Sequence, residues 1–533
     1  METKSRVTRH TLAFWFGVIY ILAGVSCHLP DYINHRGQHF HLSGLPMSNM
    51  MLFGMFLILA GIASSAYGLF PVRDNAKDAS AEYQLHSMDD AQLTWKHYGL
   101  VIVLGVALVV DIMKPATLSL ALPGMRSEYG ISKETGSLFP LSAMLGTTIG
   151  SLLWGMLADR MGRRGSILLA SLIFVSTGIC GCMPAFKWNV LMCFFMGISA
   201  GGMLPIVFAL LAEMVPSRHR GWLSVLVGGL GSAGGYLAAS SAAGWLEPLF
   251  SWRILWLLNI PTGLLVILLS RFIPESPRFL LSQGRVLEAK LTLARYNIEL
   301  VRSIVSSQQE AVKHSAKQLF RKPYALMTLT VCFYGVAWGL VNWGFLTWLP
   351  TITQDFLHLD SKIANRLLAK SALIAAPGCV LVAALYGFWS SKRTMVIFAI
   401  GTACVLMGFA TYNAGDGPTL FSVLTVLLLI GLSGMIAMLS PYSVELYPTQ
   451  FRATGGGITA SSSKVGGVVG PSMVAFILTA YPGLMVPALT LAVPLLLAAV
   501  TLWVNGRETS GRRLEEIQET PAAAAELSEQ SRV

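Results

Sequence analysis

The sequence predicts an all-α polytopic membrane protein, with two spanning helices at the N-terminus followed by twelve in two six-helix repeats. Three observations predict it. Of the 533 residues 54% are hydrophobic and only 12% charged, about half the charged fraction of a soluble domain. Apolar runs of roughly 20 residues, the length a helix needs to cross a bilayer, recur along nearly the whole chain. Short motifs also return at one fixed distance in the two halves.

The first two predicted spans cover 11–28 and 46–70. Lys4, Arg6 and Arg9 precede the first apolar run as they would in a secretory signal. The run ends in Ser26-Cys27-His28 without a small-x-small cleavage site, and a second span follows closely, so both are read as retained. Residues 1–96 thus form an N-terminal extension. Twelve spans follow near 98–122, 135–157, 166–184, 189–214, 222–246, 253–273, 325–349, 366–389, 395–413, 418–442, 454–480 and 483–505. They divide into a half at 97–273 and a half at 325–506, joined by a polar linker at 274–324 and followed by a tail at 507–533. With the N-terminus inside, alternation places most of the 38 lysines and arginines on the inner side. That asymmetry predicts an inner (plasma) membrane protein with both termini cytoplasmic. It also accounts for the net charge of +11 without invoking nucleic acid. The seven cysteines lie in or beside apolar runs, with neither metal spacing nor a disulfide framework, which points to packing.

The repeat is explicit. "GMLADRMGRR" begins at Gly155 and a worn copy, "GFWSSKRT", at Gly387; "EMVPSRHRG" begins at Glu213 and "ELYPTQFRA" at Glu445; Gly234-Gly235 return as Gly466-Gly467. All three offsets are 232 residues. "PESPRFL" from Pro274 and "ETSGRRL" from Glu508 match at nearly the same shift. Parallel six-span repeats define a large class of carriers that hold their site between the halves near the membrane midplane.

Over about 97–518 these motifs resemble the major facilitator superfamily. "GMLADRMGRRG" is similar to that family's loop between its second and third helices. "PESPRFL", "ELYPTQFRATG" and "NWGFLTWLPT" (342–351) resemble the branch of organic-anion transporters and aromatic-acid:proton symporters. The glutamine-rich segments of sugar porters and the antiporter Gly-Pro signature are absent; Gly231–Gly235 reads "GSAGG". The resemblance implies secondary transport of a small solute by alternating access. It also implies that charged groups at the inner helix ends form salt bridges closing that side: Asp159, Arg160, Glu213, Arg220, Glu275 and Arg278 in the first half, Glu445, Arg452 and Glu508 in the second. Such half-wet pairs are worth about 1 kcal/mol or less each, so a set of them can break and reform in a cycle. In the second half Ser391 stands where the first has Asp159, which predicts a weaker network there. Arg163 and Arg164 read equally well as topology signals.

Ionisable residues inside spans are costly, by about 3 kcal/mol or more, and mark function by default. Asp111 and Lys114, three residues apart in "VVDIMKPATL", share one helix face. Lys464 lies roughly 16 Å into the eleventh core helix and Asp111 roughly 20 Å into the first. By resemblance, Lys464 binds the substrate's carboxylate, Lys114 is a second cationic contact, and Asp111 is the proton-coupling carboxylate or the lysines' resting partner. The alternatives are a permanent Asp111–Lys114 pair that only tightens the helix, and a Lys464 that snorkels to an interface. Pro115 should kink the helix beside Lys114. Tyr334, Trp338, Asn342 and Phe345 recur at spacings of three and four, a stripe that either stacks on a planar solute or packs in the core; Tyr236 and Tyr442 are further substrate-binding candidates. His28, His35, His39 and His41 in an outside loop could bind zinc or copper, but their loose spacing reads better as a plain polar loop.

The expected protein is a proton-coupled importer of a small organic anion, a carboxylate and possibly an aromatic one. It needs no cofactor beyond a proton gradient, and its partners are substrate, protons and lipid, with a monomer as the expected state. Two other readings stay open: a facilitator or exporter of a neutral or cationic solute such as a sugar or drug, and a non-transporting sensor that uses the extra spans to bind a partner. No nucleophile–base or metal constellation suggests an enzyme, and no nucleotide loop suggests ATP drive.

Overall fold

The computed structural model describes residues 2–70, 83–84, 92–302, 319–321, 324–447, 452–481 and 483–509. Fourteen helices among them are long and apolar enough to span a membrane. The extension carries α1 (His10–Asn34) and α2 (Asn49–Leu69). The first repeat carries α3 (Trp95–Tyr129), α4 (Lys133–Met161), α5 (Arg163–Cys182), α6 (Phe186–Met214), α7 (His219–Phe250) and α8 (Arg253–Phe272). The second carries α9 (Ala325–Leu357), α10 (Ser361–Phe388), α11 (Ser391–Thr411), α12 (Gly417–Ser443), α13 (Gly455–Ala480) and α14 (Met485–Asn505). Local chemistry sets several ends. His97 Nδ1 accepts from the Thr94 backbone N–H at 3.0 Å as α3 begins, and Gly130 closes that helix in the left-handed conformation, φ 62°, where a side chain would be strained. The Ser390 hydroxyl accepts the Arg393 N–H at the start of α11, a serine N-cap. Outside the spans, two short helices, Pro277–Ser282 and Val286–Ala294, follow α8. One small antiparallel pair joins Tyr83–Gln84 to Val301–Arg302. Parts of the expected linker (303–318 and 322–323), residues 448–451, the side chain of Arg452 and the tail from 510 lie outside the described residues.

The chain forms two compact units. The first contains Met1–Arg220, Gly234–Gln308 and Leu349–Lys370. The second contains Gly221–Ala233, Gln309–Trp348 and Ser371–Val533. Each therefore includes a short stretch that the sequence repeat assigns to the opposite half.

In the first unit the extension is part of the core. Val18, Ile21 and Val25 of α1 and Ile58 of α2 pack with Leu172, Val175 and Ile179 of α5. α1 and α2 cross so closely that a Cβ on Gly24 would come to 2.5 Å from the Gly54 carbonyl oxygen, the close approach small residues permit between spans. The connection between them is bolted to the first repeat. Glu128 Oε1 accepts the Leu42 and Ser43 N–H groups at 2.9 and 3.1 Å. Its carboxylate also takes Arg253 at 2.7 Å and Trp252 Nε1 at 2.8 Å. Arg253, 0% exposed, donates in addition to the Gly181 and Met183 carbonyls. The Tyr32 hydroxyl donates to the Phe250 carbonyl at 2.7 Å.

In the second unit α9 and α13 meet backbone to backbone, with Gly335 and Gly339 against Ser462 and Ser463, and Gly466 against Val336. Residues 340–346 of α9 wind as a π-helix.

Candidate functional site

A buried pair of opposite charges lies on α3 in the first unit. Lys114 Nζ stands 2.8 Å from Asp111 Oδ1. The three-residue spacing places both side chains on one side of the helix. Lys114 is 1% exposed and Asp111 5%. The ammonium also donates to Ser199 Oγ of α6 at 3.2 Å and lies 4.1 Å from the centre of the Phe174 ring of α5. Ser199 passes its own hydrogen to the Ala170 carbonyl at 3.0 Å, so its oxygen is turned toward the lysine. Pro115 has no N–H to offer the Asp111 carbonyl one turn back, which leaves a polar backbone group beside the pair. The cage therefore comprises a carboxylate, a hydroxyl and a ring face around one cation. Tyr236 of α7, in the same unit, is buried, and among the described residues its hydroxyl has no hydrogen-bond partner.

Lys464 lies in the second unit on α13, half-buried. The side of α13 that meets α9 is made by Ser462, Ser463 and Gly466. Lys464 leaves the helix on another side, in line with Ala460 and Val468, both half-buried.

The aromatic residues of α9 have fixed commitments. The Tyr334 hydroxyl donates to the Met395 carbonyl at 3.2 Å and Trp338 Nε1 to the Leu432 carbonyl at 2.9 Å. Phe345 packs against Phe409, ring centres 5.1 Å apart. Because the π-turn adds residues per turn, the stripe does not continue as one face: Tyr334, Trp338 and Phe345 are buried while Asn342 is half-buried. The Tyr442 hydroxyl donates to the Arg507 carbonyl at 2.7 Å and accepts the Arg507 N–H, which ties it to the segment after α14.

At the end assigned by charge to the inside, Arg163 is the hub. Its guanidinium reaches the Ala158 carbonyl at 3.0 Å, Asp159 Oδ1 at 3.2 Å and Glu213 Oε1 at 3.2 Å. Its backbone N–H donates to Glu275 Oε1 at 2.7 Å. Burial pushes the Glu275 carboxyl above the ordinary range, while the N–H groups of Ser276, Arg163 and Arg164 pull it down. Glu508 does in the second unit what Glu275 does in the first. It accepts from the Ser390 hydroxyl and from both the N–H and the hydroxyl of Ser391, at 2.9 and 2.6 Å. Each carboxylate thus caps the N-terminus of its repeat's third helix, where the helix dipole favours negative charge. Glu445 accepts from the Tyr386 hydroxyl at 2.9 Å. Arg220 donates to the Val215 carbonyl at 3.4 Å. Arg160 and Arg278 are exposed, and Arg452 lies outside the described side chains. Sequence reasoning missed Arg163 as hub, and missed Ser199 and Phe174 altogether.

Two repeats of six spans, with an acid–base pair sealed inside one of them, define a membrane transporter of the secondary-carrier type. The Major Facilitator Superfamily model matches residues 104–471, and the chain belongs to that family. The niacin transporter NiaP of Acinetobacter baylyi is 26% identical over 441 residues, 79% of this chain and 96% of that protein. The cis,cis-muconate transport protein of the same organism is 26% identical over 395 residues, 72% of this chain and 88% of that protein. Among solved structures, a partially occluded inward-open form of the xylose transporter XylE from E. coli superposes with a TM-score of 0.64 at 16% identity, covering 79% of this chain and all of that one; that likeness concerns the fold.

Proposed function

We propose that this protein imports a small organic carboxylate together with protons across the inner (plasma) membrane, as a monomer with both termini in the cytoplasm. The observation that carries the proposal is the Asp111–Lys114 contact of 2.8 Å sealed inside a span. In the resting state Asp111 neutralises Lys114. A proton arriving on Asp111 cancels the carboxylate and leaves the ammonium in low dielectric without a counter-charge. The substrate's carboxylate then supplies that charge, with Lys464 as its principal anchor and Lys114 as the second contact. Release of the proton on the other side restores the ion pair and expels the anion. The Arg163–Glu213 and Glu275 contacts, with Glu445 and Glu508, act as the inner gate. Weak half-wet pairs suit that task, since a carrier needs small energy gaps between its states. The names of the relatives, a niacin transporter and a muconate transport protein, agree with an organic acid as cargo.

The test is uptake of labelled nicotinate, benzoate and muconate into proteoliposomes under an imposed inward proton gradient. Accumulation should occur in the wild type and collapse in Lys464→Ala. Undiminished uptake in that variant refutes the anchor. Uptake of a neutral or cationic solute alone favours the facilitator or exporter reading, and no flux of any solute favours a sensor.

A further inference from the structure

The end of the first unit away from Glu275 holds a second carboxylate in unusual company. Glu247 stands in the last turn of α7 and is half-buried. One oxygen accepts from Ser361 Oγ at 3.1 Å and the other from the side-chain N–H of Asn365. Both donors are neutral, and their spacing of four puts them on one face of α10. Among the described residues no cation pairs with Glu247. Arg366, its neighbour on α10, gives its Nε to the Gly244 carbonyl at 3.3 Å and lays its guanidinium 4.4 Å from the centre of the Trp245 ring. The charged side chain that does act on Glu247 is Asp360, of the same sign. Further along the same segment Asp355 pairs with Lys133 at 3.0 Å.

The hydrogen count of this cluster is one short. Ionised Glu247 offers two acceptor oxygens, Asn365 a third and Ser361 a fourth, against one hydroxyl and two amide hydrogens. Accordingly, among the described residues Asn365 Oδ1 is buried with no hydrogen-bond partner. The Asn365 side-chain N–H also faces Ser361 Oγ, at 3.4 Å; one added proton closes the count, since Glu247 then donates to Ser361 Oγ through one oxygen and keeps the Asn365 N–H on the other. Both partners belong to Leu349–Lys370, the stretch of the second repeat that packs within the first unit. We propose that Glu247 is a proton-binding site, distinct from Asp111, whose protonated form holds residues 349–370 against α7. The proton comes from water at that end and returns to it when the segment lifts, so the site reads the pH on one side and carries no net proton across. Acid on that side favours the closed packing.

The site can be tested without substrate, so failure of the organic-anion reading leaves this test standing. Full-length protein in lipid nanodiscs is followed by hydrogen–deuterium exchange in peptides covering 352–370 from pH 5 to 8, with labelling times scaled for intrinsic exchange. In the wild type, protection should fall as pH rises, by at most about tenfold per pH unit, the limit for one proton. Glu247→Gln keeps an acceptor for the neutral donors and cannot ionise, and should show acid-like protection throughout. Asp360→Asn retains Glu247 and should retain the pH dependence. Equal pH dependence in Glu247→Gln and wild type overturns the assignment, as does a flat wild-type profile. Loss of the dependence in Asp360→Asn places the proton on Asp360 and overturns it equally.

Discussion

Replacing Asp111 by Asn keeps its shape and removes its charge, which isolates the ion pair from its packing. The Lys114 ammonium would retain Ser199 Oγ at 3.2 Å and the Phe174 ring at 4.1 Å, but both are already present in the wild type and offset nothing new. Breaking a buried pair from one side costs about 3–5 kcal/mol, because it strands the other charge. The lower bound corresponds to roughly a hundredfold shift in the folding equilibrium. Lys114→Met should cost a similar amount by stranding Asp111. Removing both charges should return stability to within about 1 kcal/mol of wild type, since buried pairs and apolar replacements are often equivalent. A double-mutant cycle by denaturant unfolding in one detergent measures that coupling. Transport supplies the second readout. With no titrating carboxylate facing Lys114, Asp111→Asn should lose accumulation driven by a pH gradient. It should keep exchange of labelled for unlabelled substrate, which needs no net proton movement. Gradient-driven accumulation by Asp111→Asn would refute the coupling argument. A double variant as unstable as the two singles summed would refute the electrostatic account of the pair.

Three further outcomes follow from the same geometry. Arg163→Met removes the contacts to Asp159, Glu213 and the Ala158 carbonyl at once; it should raise labelling of cysteines introduced on the inner side by a few-fold, and unchanged labelling would argue against a gate. Glu275 has a raised carboxyl in the folded chain, so the folded state binds the proton more tightly than the unfolded one, whose glutamates titrate near about 4.3. Its contribution to stability therefore grows as pH falls from above the folded value toward the unfolded one, and Glu275→Gln should remove that increment from a melting profile taken from pH 4 to 7. Glu128→Gln leaves Arg253 buried with its charge unpaired and weakens the hold on Leu42 and Ser43; it should cost about 3 kcal/mol or more and speed proteolysis within 35–47, whereas wild-type resistance would mean the connection is held from elsewhere.

What the sequence made legible was whatever carries a local cost. A span needs its twenty apolar residues wherever it packs, so all fourteen could be placed before any contact was known, with ends misjudged where polar turns such as Lys133–Gly136 run on into the helix. Asp111 and Lys114 stood out for the same reason, as charges in an apolar run. Roles that depend on the identity of a distant partner were hidden. Arg163 reads from its local motif as a topology signal or as a gate charge alike, and its partner Glu213, 50 residues away, cannot be seen from that motif. Ser199 is one buried serine among many until Lys114 points at it. The π-turn at 340–346 rotates an aromatic stripe that looks continuous at regular helical spacing. The extension shows the rule most fully. Its two spans read as an appendage because nothing in residues 1–96 names Glu128 or Arg253, yet those two residues bind its connection to the first repeat. The same contacts tie the connection between α1 and α2 to α3 and α8, so the extension belongs to the packing of the first unit rather than to its surface.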